Sequence, residues 1–253
     1  MARAKRHYLQ GHIWHITHRC HKREWLFMFK RDRRRWLQWL FEAKKRFGLV
    51  ILNYTVTSNH IHLLVVDDGD REVIPNSIQL IAGRIGQEYN LRKNRTGAFW
   101  EDRYHATAIE NGEHLLRCLV YIDLNMVRAG VVKHPSEWGY SGYNEIQKPR
   151  YKCSLIAHER VSKLAGFDSQ SNFRTAHAGW INDALRDGGQ KREPLWTESI
   201  AVGSEQFVQR TKEALGSKAK GRKLVEKGNI FYLREGVIPY RANFGIKNYN
   251  IGG

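Results

Sequence analysis

Two histidines separated by one apolar residue are the first groups in this sequence that could hold a metal ion. They occur in Asn59-His60-Ile61-His62-Leu63, inside a run typical of a β-strand. Alternate strand residues leave the same face of a sheet, so both imidazoles can converge on one cation. A strand carrying two hydrogen-bonded histidines and no ligand is the alternative that this pattern leaves open.

A tyrosine on a polar helix stripe is the second candidate group. Within the helix predicted over residues 112–129, four polar residues recur at helical spacing: Arg117, Tyr121, Asn125 and Arg128. A phenol between arginines can meet a phosphodiester, because neighbouring cations stabilise a developing phenolate. An ordinary half-buried tyrosine is the alternative here.

The elements that must position these groups can be read from hydrophobic periodicity and from turn residues. Strand patterns cover residues 12–20, 49–57, 60–66 and 99–109, and helix patterns cover 29–47, 76–92 and 112–129. This order predicts an α+β fold, a ferredoxin-like βαββαβ unit with an antiparallel sheet and an added helix that carries the tyrosine.

A change of composition follows Tyr143, and the stretch around Pro149 resembles a linker. We therefore predict a catalytic domain over residues 1–146 and a basic, mainly helical extension over residues 147–253. Helices are expected near 171–185 and 199–215, followed by a basic glycine-rich run over 216–223 and a short β-like tail. The basic run is either a phosphate contact or a solvated charged face.

The charge of the chain favours a polyanionic partner. Lysine and arginine number 42 against 25 aspartate and glutamate, which gives a formal charge of +17 and a pI near 9.9. Nucleic acid is the expected partner, although a merely soluble basic protein is an alternative. The three cysteines have neither zinc-knuckle spacing nor an even count, so we expect reduced packing residues. Without an apolar run of membrane length or a signal-peptide core, a cytoplasmic protein is expected.

Together the two motifs resemble a known family. His60-Ile61-His62, followed about sixty residues later by Tyr121-Ile122-Asp123-Leu124-Asn125-Met126-Val127-Arg128-Ala129-Gly130, resembles the single-tyrosine HUH transposases, above all the REP-associated tyrosine transposases of bacteria. Residues 99–104 and 138–143 are also similar to that family. The resemblance covers about residues 11–143. Leu124 and Met126 depart from it, since the family more often has an aromatic residue before the asparagine and a proline after it.

The resemblance implies roles for four residues. His60, His62 and Asn125 would bind Mg2+ or Mn2+, and Tyr121 would attack the scissile phosphate of single-stranded DNA. The product would be a covalent 5′-phosphotyrosine and a free 3′-hydroxyl, with no nucleotide cofactor. The substrate would be a REP-type hairpin with a short guide sequence at its foot. Zinc also suits imidazole ligands, but phosphoryl chemistry favours a cation that takes and releases oxygen ligands.

Basic residues interleaved with tryptophans suggest where DNA would lie, because single-strand binding surfaces combine positive charge with flat rings. The candidate DNA contacts are Arg19, Lys22, Arg23, Arg33, Arg34, Arg35, Arg103, Arg117 and Arg128. Trp36 and Trp39 fit the apolar face of their helix and are expected in the core. Two rivals remain for the function: a hairpin-binding protein or repressor without catalysis, and a nuclease in which water attacks. The sequence does not decide between monomer and dimer.

Overall fold

The N-terminal half of the computed structural model alternates strands and helices. The structure describes residues 9–68, 70–149, 152–188 and 191–235. Its first elements are β1 (Ile13–Arg19), α1 (Lys30–Phe47), β2 (Val50–Val56), β3 (His60–Val66), α2 (Val73–Lys93), β4 (His105–Ile109), α3 (Glu113–Asp123) and α4 (Asn125–Arg128). These follow the order expected from the sequence.

The second half adds both helices and strands. Its elements are α5 (Tyr143–Gln147), α6 (His158–Leu164), α7 (Gln170–Arg186), α8 (Leu195–Glu198), β5 (Ala201–Gly203), α9 (Glu205–Leu215), β6 (Arg222–Lys227) and β7 (Ile230–Glu235). The β-like tail expected after residue 223 includes β6 and β7, and the residues after 235 lie outside the described chain.

One sheet joins the two halves. Its seven described strands lie in the order β2-β3-β1-β4-β5-β7-β6. Every neighbouring pair is antiparallel except β4 and β5, which run parallel. The expected mixed fold with a mostly antiparallel sheet is therefore confirmed.

The register places polar side chains on one face of the central strands. His62 lies opposite Thr17 of β1 and Thr55 of β2, while His60 lies opposite Arg19. Since opposed residues share a face, and so do alternate residues of a strand, His15 joins the same face. Helices α3 and α8 pack against strands of this central part of the sheet. One face of the central strands thus carries the candidate chemistry.

Burial of apolar side chains holds the long helix α1 against the rest of the fold. Trp36 and Leu40 of α1 are fully buried, as are Phe27 and Ile16. Burying a side chain of this size stabilises the fold by about 1.5–3 kcal/mol. The expected burial of Trp36 is confirmed, whereas Trp39 is partly buried and its Nε1 donates a hydrogen bond to Glu88.

Three sequence predictions need correction. The fourth strand begins at His105 instead of residue 99, and the helix predicted over 112–129 is interrupted at Leu124. The extension is mainly helical, but it also adds the strands β5, β6 and β7 to the sheet of the first half, whereas only a short β-like tail was expected. Short strands such as β5, with three residues, give no period-2 pattern to read.

The second half also shares the core of the first. Trp196, Val202 and Leu233 are buried in the same hydrophobic cluster as Ile16. On the outer side of α3, the buried carboxylate of Asp123 lies 2.8 Å from Nε2 of His177 in α7. The region beyond residue 146 therefore supports the helix that carries Tyr121. No helix in the described part of the chain is long and apolar enough to span a membrane.

Candidate active site

Two imidazoles stand side by side at the start of β3. The ring centroids of His60 and His62 are 5.0 Å apart and the rings are nearly perpendicular. His62 is almost fully buried at 2% exposure, whereas His60 lies closer to the surface. The alternation of the strand brings both rings to one face, as the sequence predicts.

The orientation of His60 is set by the turn before β3. Its Nδ1 lies 2.7 Å from Oδ1 of Asn59 and 3.0 Å from Oγ1 of Thr57. The same Thr57 hydroxyl donates to the carbonyl of His60 and accepts from its backbone N–H. With Nδ1 engaged, Nε2 is the nitrogen of His60 that is left for a ligand.

His62 is held from both sides of its ring. Its Nδ1 lies 2.8 Å from Nε2 of His15, and its Nε2 lies 2.8 Å from the side-chain amide nitrogen of Asn125. A flip of the Asn125 amide would place the oxygen at the same position, because nitrogen and oxygen are interchangeable in shape. Asn125 therefore contacts His62, the more buried imidazole of the pair, beside His60.

A break between α3 and α4 brings Asn125 to this place. Leu124 has φ −76° and ψ 3°, so the regular helix stops there and α4 resumes at Asn125. Buried Leu124 packs with Val127, Tyr143 and Ile181 in a small apolar cluster. This packing fixes the direction of the short helix and of the amide that it carries.

Tyr121 lies beside the histidines. Its ring centroid is 6.0 Å from that of His62 and 6.2 Å from that of His15. The guanidinium carbon of Arg128 sits 4.1 Å from the centre of the phenol ring and Nη2 donates to the carbonyl of Tyr121. Burial raises the pKa of Tyr121, while the charges of Arg128 and Arg192 and a hydrogen bond with Thr197 act in the opposite direction. The phenol is therefore protonated at neutral pH, and the neighbouring arginines would stabilise its ionised form.

The imidazoles of the site are neutral at physiological pH. Burial lowers the pKa of His60 to about 4 and that of His15 to about 3, and it holds the pKa of His62 well below its usual range. The positive charge of Arg128 acts in the same direction on all three. Neutral imidazoles keep a lone pair, which is the form that binds a metal.

The depressed histidine pKa values predict a fall in stability below neutral pH. In the unfolded chain these histidines titrate near their ordinary value of about 6.5. As pH falls below that value, the histidines bind protons in the unfolded state but stay neutral in the folded state. The free energy of unfolding therefore decreases. Three such groups contribute about 4 kcal/mol per pH unit down to about pH 4. Denaturant unfolding between pH 7 and pH 4.5 measures this slope.

Substitution of His60 isolates its contribution to the pH dependence of stability from that of other titrating groups. His60→Gln keeps a polar side chain that does not titrate, so the slope should fall by about 1.4 kcal/mol per pH unit relative to the wild type. His134→Gln changes a partly buried histidine outside the site and serves as the matched control. Identical slopes for His60→Gln and the wild type would contradict a neutral, desolvated His60.

The donor set fits a divalent metal. Two imidazole Nε2 atoms and one amide oxygen are ligands that Mn2+ and Zn2+ accept, and they would leave open positions for water or phosphate oxygens. The described residues contain no cluster of three or more histidine, cysteine, aspartate or glutamate side chains with metal-binding geometry. The third ligand would thus be the amide of Asn125, as the sequence pattern implies.

His15 is the site residue that the sequence analysis missed. It is fully buried, and its Nδ1 lies 2.8 Å from the carbonyl oxygen of Trp196 in α8. Its alternation with Thr17 and Arg19 along β1 was a readable signal that it shares their face. The contribution of α8 had no such signal, because Trp196 is 181 residues away in the sequence.

Helix α8 also covers Tyr121. The ring of Trp196 lies 6.1 Å from the phenol ring, and Thr197 hydrogen-bonds the phenol. As a result Tyr121 is only 7% exposed. A polynucleotide reaching the phenol must displace part of this cover.

The candidate DNA contacts are spread over different environments. Arg33 is buried, its Nη1 donates to the carbonyls of Phe27 and Met28, and its guanidinium lies over the rings of Trp138 and Tyr140. Such a residue stabilises the loop before α1 and has little surface for a phosphate. We therefore assign Arg33 to the fold and withdraw it from the DNA contacts.

The remaining basic residues keep exposed surface to different degrees. Arg35 is paired with Glu88 by two hydrogen bonds of 2.6 Å, and Arg117 is paired with Glu113. Arg19 lowers the pKa of His60, so it lies within electrostatic reach of the site. Lys22, Arg23, Arg34 and Arg103 are exposed. Arg128 is the arginine in direct contact with Tyr121.

An exposed aromatic loop borders the same end of β3. Residues 21–29 carry three of the five large exposed hydrophobic side chains in the described chain: Trp25 at 68%, Met28 at 51% and Phe29 at 48%. The backbone N–H of Phe27 donates to the carbonyl of Ser58, and the side-chain amide of Asn59 donates to the carbonyl of Arg23. These bonds place the loop beside the turn that holds His60.

Comparison with known proteins finds a family similar to the N-terminal part of the chain. Residues 8–125 match the family model described as "Transposase IS200 like". These residues, slightly less than half of the chain, are similar to the IS200-like transposase family, and they include His60, His62, Tyr121 and Asn125. The resemblance noted in the sequence is confirmed at the level of this family. Residues beyond 125 lie outside the match.

Two solved structures are similar to the chain. One is a REP-associated tyrosine transposase bound to a REP hairpin, with 19% identity and a TM-score of 0.49 over 60% of this chain and 90% of that one. The other, from Deinococcus radiodurans R1, is described provisionally as a transposase, with 16% identity and a TM-score of 0.32 over 42% of this chain and 84% of that one. Among curated protein sequences, none matches.

Proposed function

We propose that the protein is a metal-dependent transposase that cuts and rejoins single-stranded DNA through Tyr121. The observation that carries this proposal is the grouping around His62: the amide of Asn125 contacts its Nε2, the ring of His60 lies 5.0 Å away, and the phenol ring of Tyr121 lies 6.0 Å away. DNA binding alone places no demand on that combination of side chains. The similarity of residues 8–125 to the IS200-like transposase family supports a DNA-processing enzyme.

The bonds exchanged in the cleavage step can be stated fully. The phenol oxygen of Tyr121 attacks the scissile phosphorus in line, and the bond from phosphorus to the 3′ oxygen breaks. The phenol proton is lost to solvent, and the departing 3′ oxygen gains a proton. One phosphodiester is exchanged for another, so a 3′-hydroxyl can reverse the reaction and rejoin the strand without a nucleotide cofactor.

A bound Mg2+ or Mn2+ would act as a Lewis acid on the phosphate oxygens. His60 and His62 would hold it through Nε2 and Asn125 through its amide oxygen. Arg128, at 4.1 Å from the phenol ring, would stabilise the phenolate as the proton leaves. Each of these side chains lies on β3 or on the broken helix α3-α4, which fixes their relative positions.

The fold supports the finer assignment made from the sequence. Strands β2, β3, β1 and β4 are neighbours in that order, with α1 and α2 among the connections, and this order supports a ferredoxin-like βαββαβ unit. We propose this unit, residues 1–146, as the catalytic domain. The sequence resemblance to REP-associated transposases makes REP-type hairpins the proposed target.

Labelled hairpin DNA with single-stranded flanks tests the proposal. With Mg2+ or Mn2+, the full-length protein should cleave one flank and form a DNA adduct that survives denaturing electrophoresis. Omission of the metal or addition of EDTA should abolish both products. Cleavage without any adduct would indicate that water attacks, and it would exclude Tyr121 as the nucleophile.

A hairpin-binding protein or repressor is the second candidate function. The low exposure of Tyr121, at 7%, favours it, because α8 covers the phenol. The same assay separates the two: tight metal-independent binding with neither cleavage nor adduct, at several metal concentrations, would support the binder.

The aromatic loop is the proposed contact for the single-stranded flank, because exposed rings beside Lys22 and Arg23 provide stacking and charge together. Trp25→Ala should weaken binding of single-stranded DNA by about tenfold, since one stacked base contributes roughly 1–3 kcal/mol. Fluorescence anisotropy with a labelled oligonucleotide measures the affinity. Trp25→Phe keeps a ring and should lose much less.

Val131→Ala provides the matched control for loss of an exposed apolar side chain, because Val131 is 55% exposed outside this loop. An unchanged affinity of Trp25→Ala for single strands would remove Trp25 from the interface.

A further inference from the structure

We propose that His15 is a positioning residue that holds His62 as the Nδ1–H tautomer, and that the C-terminal region fixes His15 through the carbonyl of Trp196. The purpose of this arrangement rests on the proposed function, because the tautomer matters for a metal bound at Nε2. The tautomer itself is a property of the metal-free protein and can be measured separately.

The donor and acceptor of each hydrogen bond follow from one group whose role is fixed, the carbonyl of Trp196. The carbonyl oxygen of Trp196 can only accept, so Nδ1 of His15, at 2.8 Å, must carry a proton. In a neutral ring Nε2 of His15 then has a lone pair and accepts the bond from Nδ1 of His62, also at 2.8 Å. His62 therefore carries its proton on Nδ1, and its Nε2 has the free lone pair that faces Asn125.

Burial makes each of these hydrogen bonds costly to lose. His15 is fully buried and His62 is 2% exposed, so water cannot replace a lost partner. The two rings are nearly parallel, with centroids 5.0 Å apart, and β1 and β3 are hydrogen-bonded neighbours. The pair is thus fixed by the sheet itself.

The segment that contains Trp196 is attached to the sheet at several points. The carbonyl of Ser199 accepts from Oγ1 of Thr107 at 2.7 Å and lies 2.8 Å from Nε2 of His105. The backbone N–H of Ala108 donates to the carbonyl of Ile200 at 2.7 Å. These contacts hold α8 against β4, so the carbonyl of Trp196 has a defined position.

A role for the C-terminal region follows from this geometry. Trp196 lies outside residues 8–125, the part that matches the transposase family, yet it fixes the ring that orients His62. Loss of an outer partner of a metal-binding histidine typically lowers metal affinity by about 10–100-fold. The extension would therefore tune the metal site that the N-terminal domain carries.

Two substitutions test the proposal. His15→Leu fills similar space but can neither accept nor donate, whereas His15→Gln offers an oxygen to His62 and an N–H to Trp196. In metal-free protein, 15N NMR of the histidine rings should show His62 as Nδ1–H in the wild type and in His15→Gln. In His15→Leu a substantial Nε2–H population should appear. Mn2+ titration followed by EPR should show about 10–100-fold weaker binding for His15→Leu, with recovery in His15→Gln.

His18→Leu is the matched control, because it removes another buried histidine of β1, whose Nε2 lies 2.8 Å from the carbonyl oxygen of Asp102, and it should leave the His62 tautomer and the Mn2+ affinity unchanged. Thermal unfolding of each variant shows whether it is folded. A wild-type His62 that is protonated on Nε2 would overturn the proposal, as would equal tautomers and equal Mn2+ affinity in His15→Leu. If the tautomers behave as expected but the protein cleaves no DNA, the proposed function fails and the positioning role stands.

Discussion

Replacing Tyr121 with phenylalanine is expected to abolish the covalent DNA adduct and to lower cleavage by roughly a thousandfold or more, because the substitution removes the attacking oxygen. The ring remains, so its contacts with Arg128, His62 and Trp196 should be preserved. Hairpin affinity should change less than about threefold, since the phenol is buried in the free protein. Denaturing electrophoresis of labelled hairpin DNA measures adduct and cleavage together.

A second tyrosine supplies the control for this experiment. Tyr143 is 5% exposed, close to the 7% of Tyr121, and it lies in the small cluster around Leu124. Tyr143→Phe removes the same hydroxyl type from a comparable environment and should leave cleavage intact. If Tyr121→Phe still cleaved DNA, and neither it nor Tyr143→Phe formed an adduct, the attack would be assigned to water.

The central part of the site was readable from the sequence because it depends on short-range periodicity. A strand places His60 and His62 on one face, and helical spacing places Tyr121 and Asn125 one above the other. The structure shows those four residues together. Their assigned roles in catalysis remain a proposal, because proximity alone performs no chemistry.

Contacts between distant segments were beyond the sequence. The bond between His15 and the carbonyl of Trp196 joins residues that no periodic pattern connects. The interruption at Leu124 arises from packing against Tyr143 and Ile181, which are brought there by the fold. Such tertiary contacts override local helix propensity, so a continuous helix was the natural expectation.

Charge was the least reliable guide to individual residues. The run Arg33 to Arg35 has three equal charges in the sequence, but the structure gives each a different environment. Arg33 is buried against Trp138 and Tyr140, Arg35 is paired with Glu88, and Arg34 is exposed. Net charge favours a polyanionic partner, whereas the contact surface depends on which guanidinium groups the fold leaves exposed.

The second large effect is expected from removing both imidazoles. His60→Ala combined with His62→Ala should eliminate DNA cleavage and, at the same time, the stabilisation of the protein by Mn2+. A metal that binds only the folded state at a hundred times its dissociation constant adds about 2.7 kcal/mol to the free energy of unfolding. Thermal unfolding with and without Mn2+ measures this gain, which should be near zero in the double variant.

The comparison with Tyr121→Phe makes the test specific. That variant keeps the three proposed ligands, so it should lose the adduct but keep the full Mn2+ stabilisation. Asn125→Ala retains both imidazoles and should show a partial loss of metal affinity, because one of three ligands is removed. If the double histidine variant still gained stability from Mn2+, the metal would bind elsewhere. The imidazoles would then be hydrogen-bonded strand residues, the alternative that the sequence left open.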